Sequence, residues 1–325
     1  MTSPQSSNHA VIIGGSIAGL LSAKVLSEHY EQVTIVERDA IELQKSERKG
    51  VPQSPQPHIL LAKGYRILKD FFPDIDRHLL DAGAVPVDWG QAFRYFSFGG
   101  WSATQAAESE VISFSCTRPL LETVVRQQVE SLDNVTRISP YRVEALIGDA
   151  TAVTGVQCTH RHDKSENCKL MADLVVDASG RSSNATQWLV DLGQPAPDLD
   201  TIDAKLGYAT RRYKIPTGWN ASWKVLLIGH EPPDNYRLGY LAQVENDTFI
   251  ATLGGYEQQY PPLDDEGFLA FAQQLPAPDF YDAIAHATPV SPIKAYRSTA
   301  NKLRRYDQLL HMPNGFNALG EAVCA

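Results

Sequence analysis

HAVIIGGSIAGLLSAKVLSEHYEQVTIVERD (residues 9–39) contains the pattern on which the fold turns. Residues 10–13 are a short apolar run, suited to a strand buried on both faces. Gly14, Gly15 and Ser16 make a turn, after which Ile17, Leu20, Leu21 and Val25 recur at helical spacing. Residues 33–36 form a second apolar strand. A strand, a turn, a helix and a strand in that order predict parallel pairing through a right-handed crossover.

The turn also carries chemistry. Glycines at 14, 15 and 19 allow a tight bend and let main-chain amides approach a pyrophosphate, which a helix N-terminus stabilises. Ser16 stands where the middle glycine of G-x-G-x-x-G belongs, and Ile17 and Ala18 fill the space before Gly19. Glu37 ends the next strand about 20 residues on, where a carboxylate would hold ribose hydroxyls. Arg38 follows it, placed to stack near an adenine or to meet a phosphate. The plainer reading is a tight turn without a ligand and a solvated strand-end charge.

The chain has 325 residues, beyond the length at which one hydrophobic core usually keeps growing, so two domains are expected. A net charge of -9 argues against a nucleic-acid partner, which would meet a basic face. The densest basic run, Lys302, Arg304 and Arg305, reads as a solvated face. The opening MTSPQSSN is polar and lacks the basic-then-apolar order of a signal peptide, and no stretch has the roughly 18 apolar residues that span a bilayer. The four cysteines, Cys116, Cys158, Cys168 and Cys324, show no metal-ligand spacing and read as reduced thiols of a cytoplasmic protein. The histidines form no HExxH or HxH pattern, so no metal site is expected.

Further along, RKGVPQSPQPH (residues 48–58) is a polar loop in which His58 reads as an ordinary hydrogen-bonded residue. Residues 93–115 alternate in the manner of antiparallel strands. RPLLETVVRQQVESL is an amphipathic helix opened by Pro119. Arg118 lies at its start, where the macrodipole disfavours a cation. Either an anionic or polar ligand lies in front of it, or it is a surface arginine tolerated at small cost. Residues 135–160 suggest a small meander. ADLVVDASG returns as a buried strand that turns at Ser179 and Gly180, by itself only a strand end. From about 201 to 256 strands alternate without helices, and DDEGFLAFAQQL is a helix with acidic residues in its first turn.

Taken in order, VIIGGSIAGL…VTIVERD, RKGVPQSPQPH, SCTRPLLE, DLVVDASGRSS…WL and ALGEAVCA resemble the FAD-dependent hydroxylases and epoxidases of the p-hydroxybenzoate hydroxylase superfamily, near its bacterial FAD-binding monooxygenase-like subgroup. The resemblance implies an α/β fold: a Rossmann-like FAD-binding domain with an inserted antiparallel-sheet substrate domain whose sheet covers the flavin. The boundaries expected are 1–85, 116–189 and 301–325 for the first and 86–115 and 190–300 for the second. It implies that Gly14, Gly15, Ser16 and Gly19 approach the pyrophosphate and Glu37 the ribose. Arg48 and Arg118 match positions near the flavin or its ribityl chain. Ser179 and Gly180 match a turn that often reads Asp-Gly, which weakens any inherited role with a nicotinamide.

The implied reaction is hydroxylation or epoxidation of an aromatic or alkene-containing small molecule by molecular oxygen through a flavin hydroperoxide. NADPH or NADH acts as a transient reductant, and no catalytic acid, base or nucleophile is assigned. Halogenases of this fold carry W-x-W-x-I-P, which this sequence lacks. The alternatives are a flavin-dependent reductase or dehydrogenase of an isoprenoid, or an inactive fragment. Gly320 and Glu321 stand where the family has Gly-Asp before a flavin-facing helix, and the sequence stops four residues later. The resemblance therefore reads the chain as truncated, with a separate chain as one source of the missing helices.

Overall fold

The computed structural model describes residues 8–41 and 51–325. It divides into two compact units, each drawn from separate stretches of chain. The first takes residues 1–50, 125–202 and 301–325; the second takes 51–124 and 203–300. Residues 51–85 and 116–124, expected with the FAD-binding domain, thus cluster with the second unit, and 190–202 with the first. The physical reasons are strand pairing and long-range side-chain bonds. Leu199–Ile202 pairs with Asn301–Arg304, while side-chain bonds tie Gln56 to Thr210 and the Lys294 carbonyl and Thr117 to Glu245.

The centre of the first unit is a five-stranded sheet. In chain order its strands are β1 (His9–Ile13), β2 (Gln32–Val36), β3 (Val135–Ile138), β4 (Leu174–Asp177) and β5 (Phe316–Ala318). In space the order is β5-β4-β1-β2-β3, parallel throughout. Helix α1 (Ile17–Leu26) crosses from β1 to β2, as the opening segment predicts. Every residue of β1 is buried, as a central strand covered on both faces requires. The stretch expected as one meander splits: residues 135–138 join the parallel sheet, because β2 offers a free edge. Tyr141–Gly148, Val153–His160 and Asn167–Met171 form a separate antiparallel sheet.

Within that small sheet Cys158 and Cys168 face each other on paired strands and are disulfide-bonded, Cα atoms 5.2 Å apart. The expectation of four reduced thiols is corrected here. The two cysteines flank the turn of one hairpin, so its register brings them together. Cys116 is buried and Cys324 exposed, both free.

The second unit is built on a seven-stranded sheet, antiparallel except where Val225–Ile228 runs parallel to Phe93–Ser97. One face packs on the helices Asp265–Gln273 and Asp279–Ile284, burying Leu241, Phe249, Ala251, Leu253, Phe268 and Phe280. The first of these helices starts as its acidic residues predict, with the Asp264 carboxylate accepting from the Gly267 amide at 2.8 Å. The opposite face carries Tyr208, Thr210, Thr252, Tyr240, Leu227 and Tyr95 across adjacent strands by register.

Candidate functional site

In the first unit the turns that follow β1, β4 and β5 meet at the carboxyl ends of neighbouring strands. After β1, Gly14 adopts φ +104, and a Cβ there would lie 2.6 Å from the Ala178 carbonyl at the end of β4. A Cβ on Gly19 would lie 1.8 Å from the Gly14 carbonyl. These glycines let main chain approach main chain, and no larger residue fits. Gly180 (φ +81) and Gly320 (φ +60) turn the chain after β4 and β5. A Cβ on Gly320 would lie 3.1 Å from Ala18 in the first turn of α1, and one on Gly180 would lie 3.9 Å from the Glu321 carboxylate. Gly14, Gly15, Ser16, Ile17, Ala18, Gly19, Ser179, Gly180, Gly320 and Glu321 are thus gathered around one helix start.

Two of the amides in the first turn already have partners within the protein. Gly14 donates to the Val36 carbonyl at 2.9 Å, and Gly15 to Glu37 Oε2 at 2.8 Å. The first-turn amides of α1 lack intrahelical acceptors by geometry. Ser16, extended at φ -97 and ψ -171, does not cap them with its side chain, and no acid occupies that turn. With no acid of its own in that turn, α1 presents the positive end of its dipole there, as an anion-binding helix start should.

Glu37 is buried at 5% exposure at the end of β2. Its second oxygen, Oε1, accepts from the Asp39 amide at 2.7 Å. Two main-chain donors thus hold one carboxylate in a single orientation. Asp39, also buried, accepts from Arg161 Nη1 at 2.6 Å, and the same guanidinium reaches the Arg38 carbonyl at 3.2 Å. Arg38 reaches Ser182 Oγ at 3.3 Å. Asp39 and Arg161 have no signature in a linear reading, because Arg161 comes from the hairpin closed by the disulfide. Asp177, fully buried, accepts from the Ser179 amide at 3.0 Å and from the Ser183 hydroxyl, which shapes the turn after β4.

The basic run also departs from expectation. Arg305 pairs with Asp200 at 3.1 Å and Asp307 at 2.9 Å. Arg304 is half-buried and donates to the carbonyls of Ala322 and Arg181 at 3.0 and 3.1 Å. Neither is a free solvated charge. Residues 320–322 form a 3-10 turn after β5.

Arg118 belongs to the second unit, at the start of the Arg118–Glu130 helix. Its awkward placement has an internal answer. The buried Glu245 carboxylate accepts from the Thr117 amide at 3.0 Å and from its hydroxyl, and Glu122 lies 3.7 Å from the guanidinium. These acids supply the negative charge that a helix start favours. His58 lies in the field of this pair. Burial first, then the Arg118 charge, push its imidazole down to about 4. It is therefore neutral at pH 7, with Nδ1 bonded to the Gln56 carbonyl at 2.9 Å. Gln56 is anchored in turn by Thr210 and by the Lys294 carbonyl. Arg48 lies outside the described residues. Among the described residues no cluster of His, Cys, Asp and Glu could hold a metal, and no helix is long and apolar enough to cross a membrane.

No family model matches the sequence. Among solved structures, the flavin-dependent brominase Bmp2 superposes with a TM-score of 0.71 at 13% identity, covering 98% of this chain and 73% of its own. PqsL of Pseudomonas aeruginosa, a probable FAD-dependent monooxygenase, gives 0.70 at 15% identity, over 97% of this chain and 79% of its own. The p-nitrophenol 4-monooxygenase PnpA of Pseudomonas putida DLL-E4 gives 0.68 at 16% identity, over 97% and 73%. The fold is thus the one shared by FAD-dependent monooxygenases and halogenases of p-hydroxybenzoate hydroxylase type, as the motif order implies. In sequence, Protein Rv3254 of Mycobacterium tuberculosis is 32% identical over 324 residues, covering 98% of this chain and 68% of that protein. With that identity along nearly its whole length, the chain belongs to the family of Protein Rv3254.

Proposed function

We propose that the chain is an FAD-dependent monooxygenase acting on an aromatic or alkene-containing small molecule, with molecular oxygen as co-substrate and NADPH or NADH as a visiting reductant. The observation that carries this reading is the meeting of three glycine turns around the uncapped start of α1, with Glu37 at the end of β2. Open parallel sheets bind ligands beyond the carboxyl ends of their strands, where the crossovers diverge. β1, between β4 and β2, occupies that place.

The residues present fit a dinucleotide. The amides of Ser16, Ile17, Ala18 and Gly19 face its pyrophosphate, aided by the positive end of the helix. Glu37 takes the adenosine ribose, its carboxylate oriented by the Gly15 and Asp39 amides. Arg38 stands at the adenosine end. Ser179, Gly180, Gly320 and Glu321 line the other end, and Arg48 and Arg118 are the remaining candidates for flavin contact. When bound, the flavin supplies oxygen activation and transfer of one oxygen atom to the substrate. The chain's own contribution is to bind, orient and exclude water. The tyrosine-bearing face of the seven-stranded sheet suits a flat, apolar substrate.

Oxygen transfer is favoured over halogenation because the sequence lacks W-x-W-x-I-P. A cytoplasmic location is proposed with this reading, although the Cys158–Cys168 bond removes reduced thiols as an argument for it. The test is to add FAD to the purified chain, remove unbound flavin and measure the bound fraction and its absorption. Oxygen uptake is then followed with NADPH or NADH and a panel of phenols and alkenes. Stoichiometric flavin with substrate-dependent oxygen uptake supports the proposal. Substrate reduction without oxygen uptake would instead favour a reductase, and absence of flavin uptake would rule out both.

A further inference from the structure

Arg304 ends the Asn301–Arg304 strand of the first unit. Its guanidinium donates from Nη1 to the Ala322 carbonyl at 3.0 Å and more weakly to that of Glu321 at 3.4 Å. From Nη2 it donates to the Arg181 carbonyl at 3.1 Å. Its own amide donates to the Val323 carbonyl at 2.9 Å. The guanidinium's acceptors belong to the two short turns that follow β4 and β5, Gly180–Ser182 and Gly320–Ala322, and Val323 caps the second.

Each of these turns is three residues of 3-10 helix entered through a left-handed glycine. Such short turns make few bonds of their own and need an outside tie to keep one geometry. A planar guanidinium, with donors that diverge within one plane, can reach acceptors on both turns together; an ammonium is a compact point charge without that fork. Through this tie the turn at Gly180 is linked to the turn at Gly320, where an added Cβ would lie 3.1 Å from Ala18 at the start of α1.

We propose that Arg304 is a positioning residue: by bridging the carbonyls of both turns, it sets the width of the crevice around α1 and hence the affinity for the flavin dinucleotide. This rests on the reading of those turns as the cofactor cradle. Arg305 supplies an internal control, since its guanidinium is taken up by Asp200 and Asp307.

The full chain is prepared as wild type, Arg304→Met, Arg304→Lys and Arg305→Met. FAD dissociation constants are measured by flavin fluorescence, and amide exchange is followed in both turns without ligand. Loss of a charged, bidentate tie predicts that Arg304→Met weakens FAD by roughly tenfold or more. Arg304→Lys keeps the charge, loses the fork and should recover only part of the affinity; it also serves if Arg304→Met does not fold. Exchange should rise in residues 180–183 and 320–323 together, with β1 and β2 unchanged, and Arg305→Met should match wild type within about twofold. Wild-type FAD affinity in both Arg304 variants would overturn the role of Arg304 alone. Equal weakening in Arg305→Met would show a general charge effect and also overturn it. A wild-type chain that takes up no FAD would overturn the cofactor reading itself, and this proposal with it.

Discussion

Replacing Glu37 with glutamine separates the structural part of this residue from its part in ligand binding. In the folded chain the two carboxylate oxygens accept from two different main-chain amides, Gly15 at 2.8 Å and Asp39 at 2.7 Å, at a position that is 5% exposed. A carboxamide has one acceptor oxygen, so in either orientation its NH2 group faces an N–H. One charge-assisted bond is lost, worth about 1.5–3 kcal/mol, and a buried amide is left unsatisfied at a cost of about 1–3 kcal/mol. The two terms describe overlapping losses, so Glu37→Gln should destabilise the first unit by about 2–4 kcal/mol before any ligand is added. Denaturant unfolding of the flavin-free chain, followed by circular dichroism in wild type and variant, reads this directly. A change below about 0.5 kcal/mol would refute the picture of one carboxylate clamped by both amides, whatever happens to FAD binding.

Glu37→Ala, which also removes the carboxylate proposed to hold the ribose, should weaken FAD by roughly tenfold to over a hundredfold in a fluorescence titration. Gly19→Ala puts a methyl group 1.8 Å from the Gly14 carbonyl. Since the obstacle is main chain, it should cost about 3 kcal/mol or more, or prevent folding, seen as a lowered Tm or loss of soluble protein. His58 has a folded pKa depressed to about 4, so the unfolded chain binds its proton first as pH falls. Its contribution to stability is complete above about 6.5 and fades toward 4. Wild type should therefore lose roughly 2–3 kcal/mol more than His58→Gln between pH 7 and 4.5, measured by denaturant midpoints. Thiol titration in denaturant without reductant should count the two free cysteines, Cys116 and Cys324, and four after reduction. A count of four at the outset would refute the Cys158–Cys168 bond.

The parts legible in the sequence were those whose signal is local. The apolar run, glycine turn and helical spacing of residues 10–36 correspond to His9–Ile13, Ile17–Leu26 and Gln32–Val36. The DDEG helix start and the Pro119 helix start are likewise local and were readable. The partners that shape the site were not. Glu245 reaches Thr117 across 128 positions, Arg161 reaches Asp39 across 122, and Arg304 reaches Arg181 across 123. Such pairs exist only once the sheets are assembled, so the sequence left Arg118 open between a ligand contact and a surface arginine, and a basic run looked like bare surface. The cysteine pair was nearer to legible. Cys158 and Cys168 stand symmetrically about the HRHDKSE turn, and reading that turn as a hairpin would have placed them opposite each other.

The interleaving of the two units bears on how the chain emerges from a ribosome. β1 is made first yet lies at the centre of its sheet, with β4 on one side some 160 positions later and β5 beyond that, near residue 316. Between these come both stretches of the second unit, itself interrupted by residues 125–202. Neither unit can therefore finish during synthesis of a contiguous segment, and the nascent β1–β2 pair must wait with one edge open. An exposed strand edge of that kind is where chaperones bind and where premature pairing between chains begins. Slow translation or scarce chaperones should penalise this protein more than one of equal length whose domains follow one another in line.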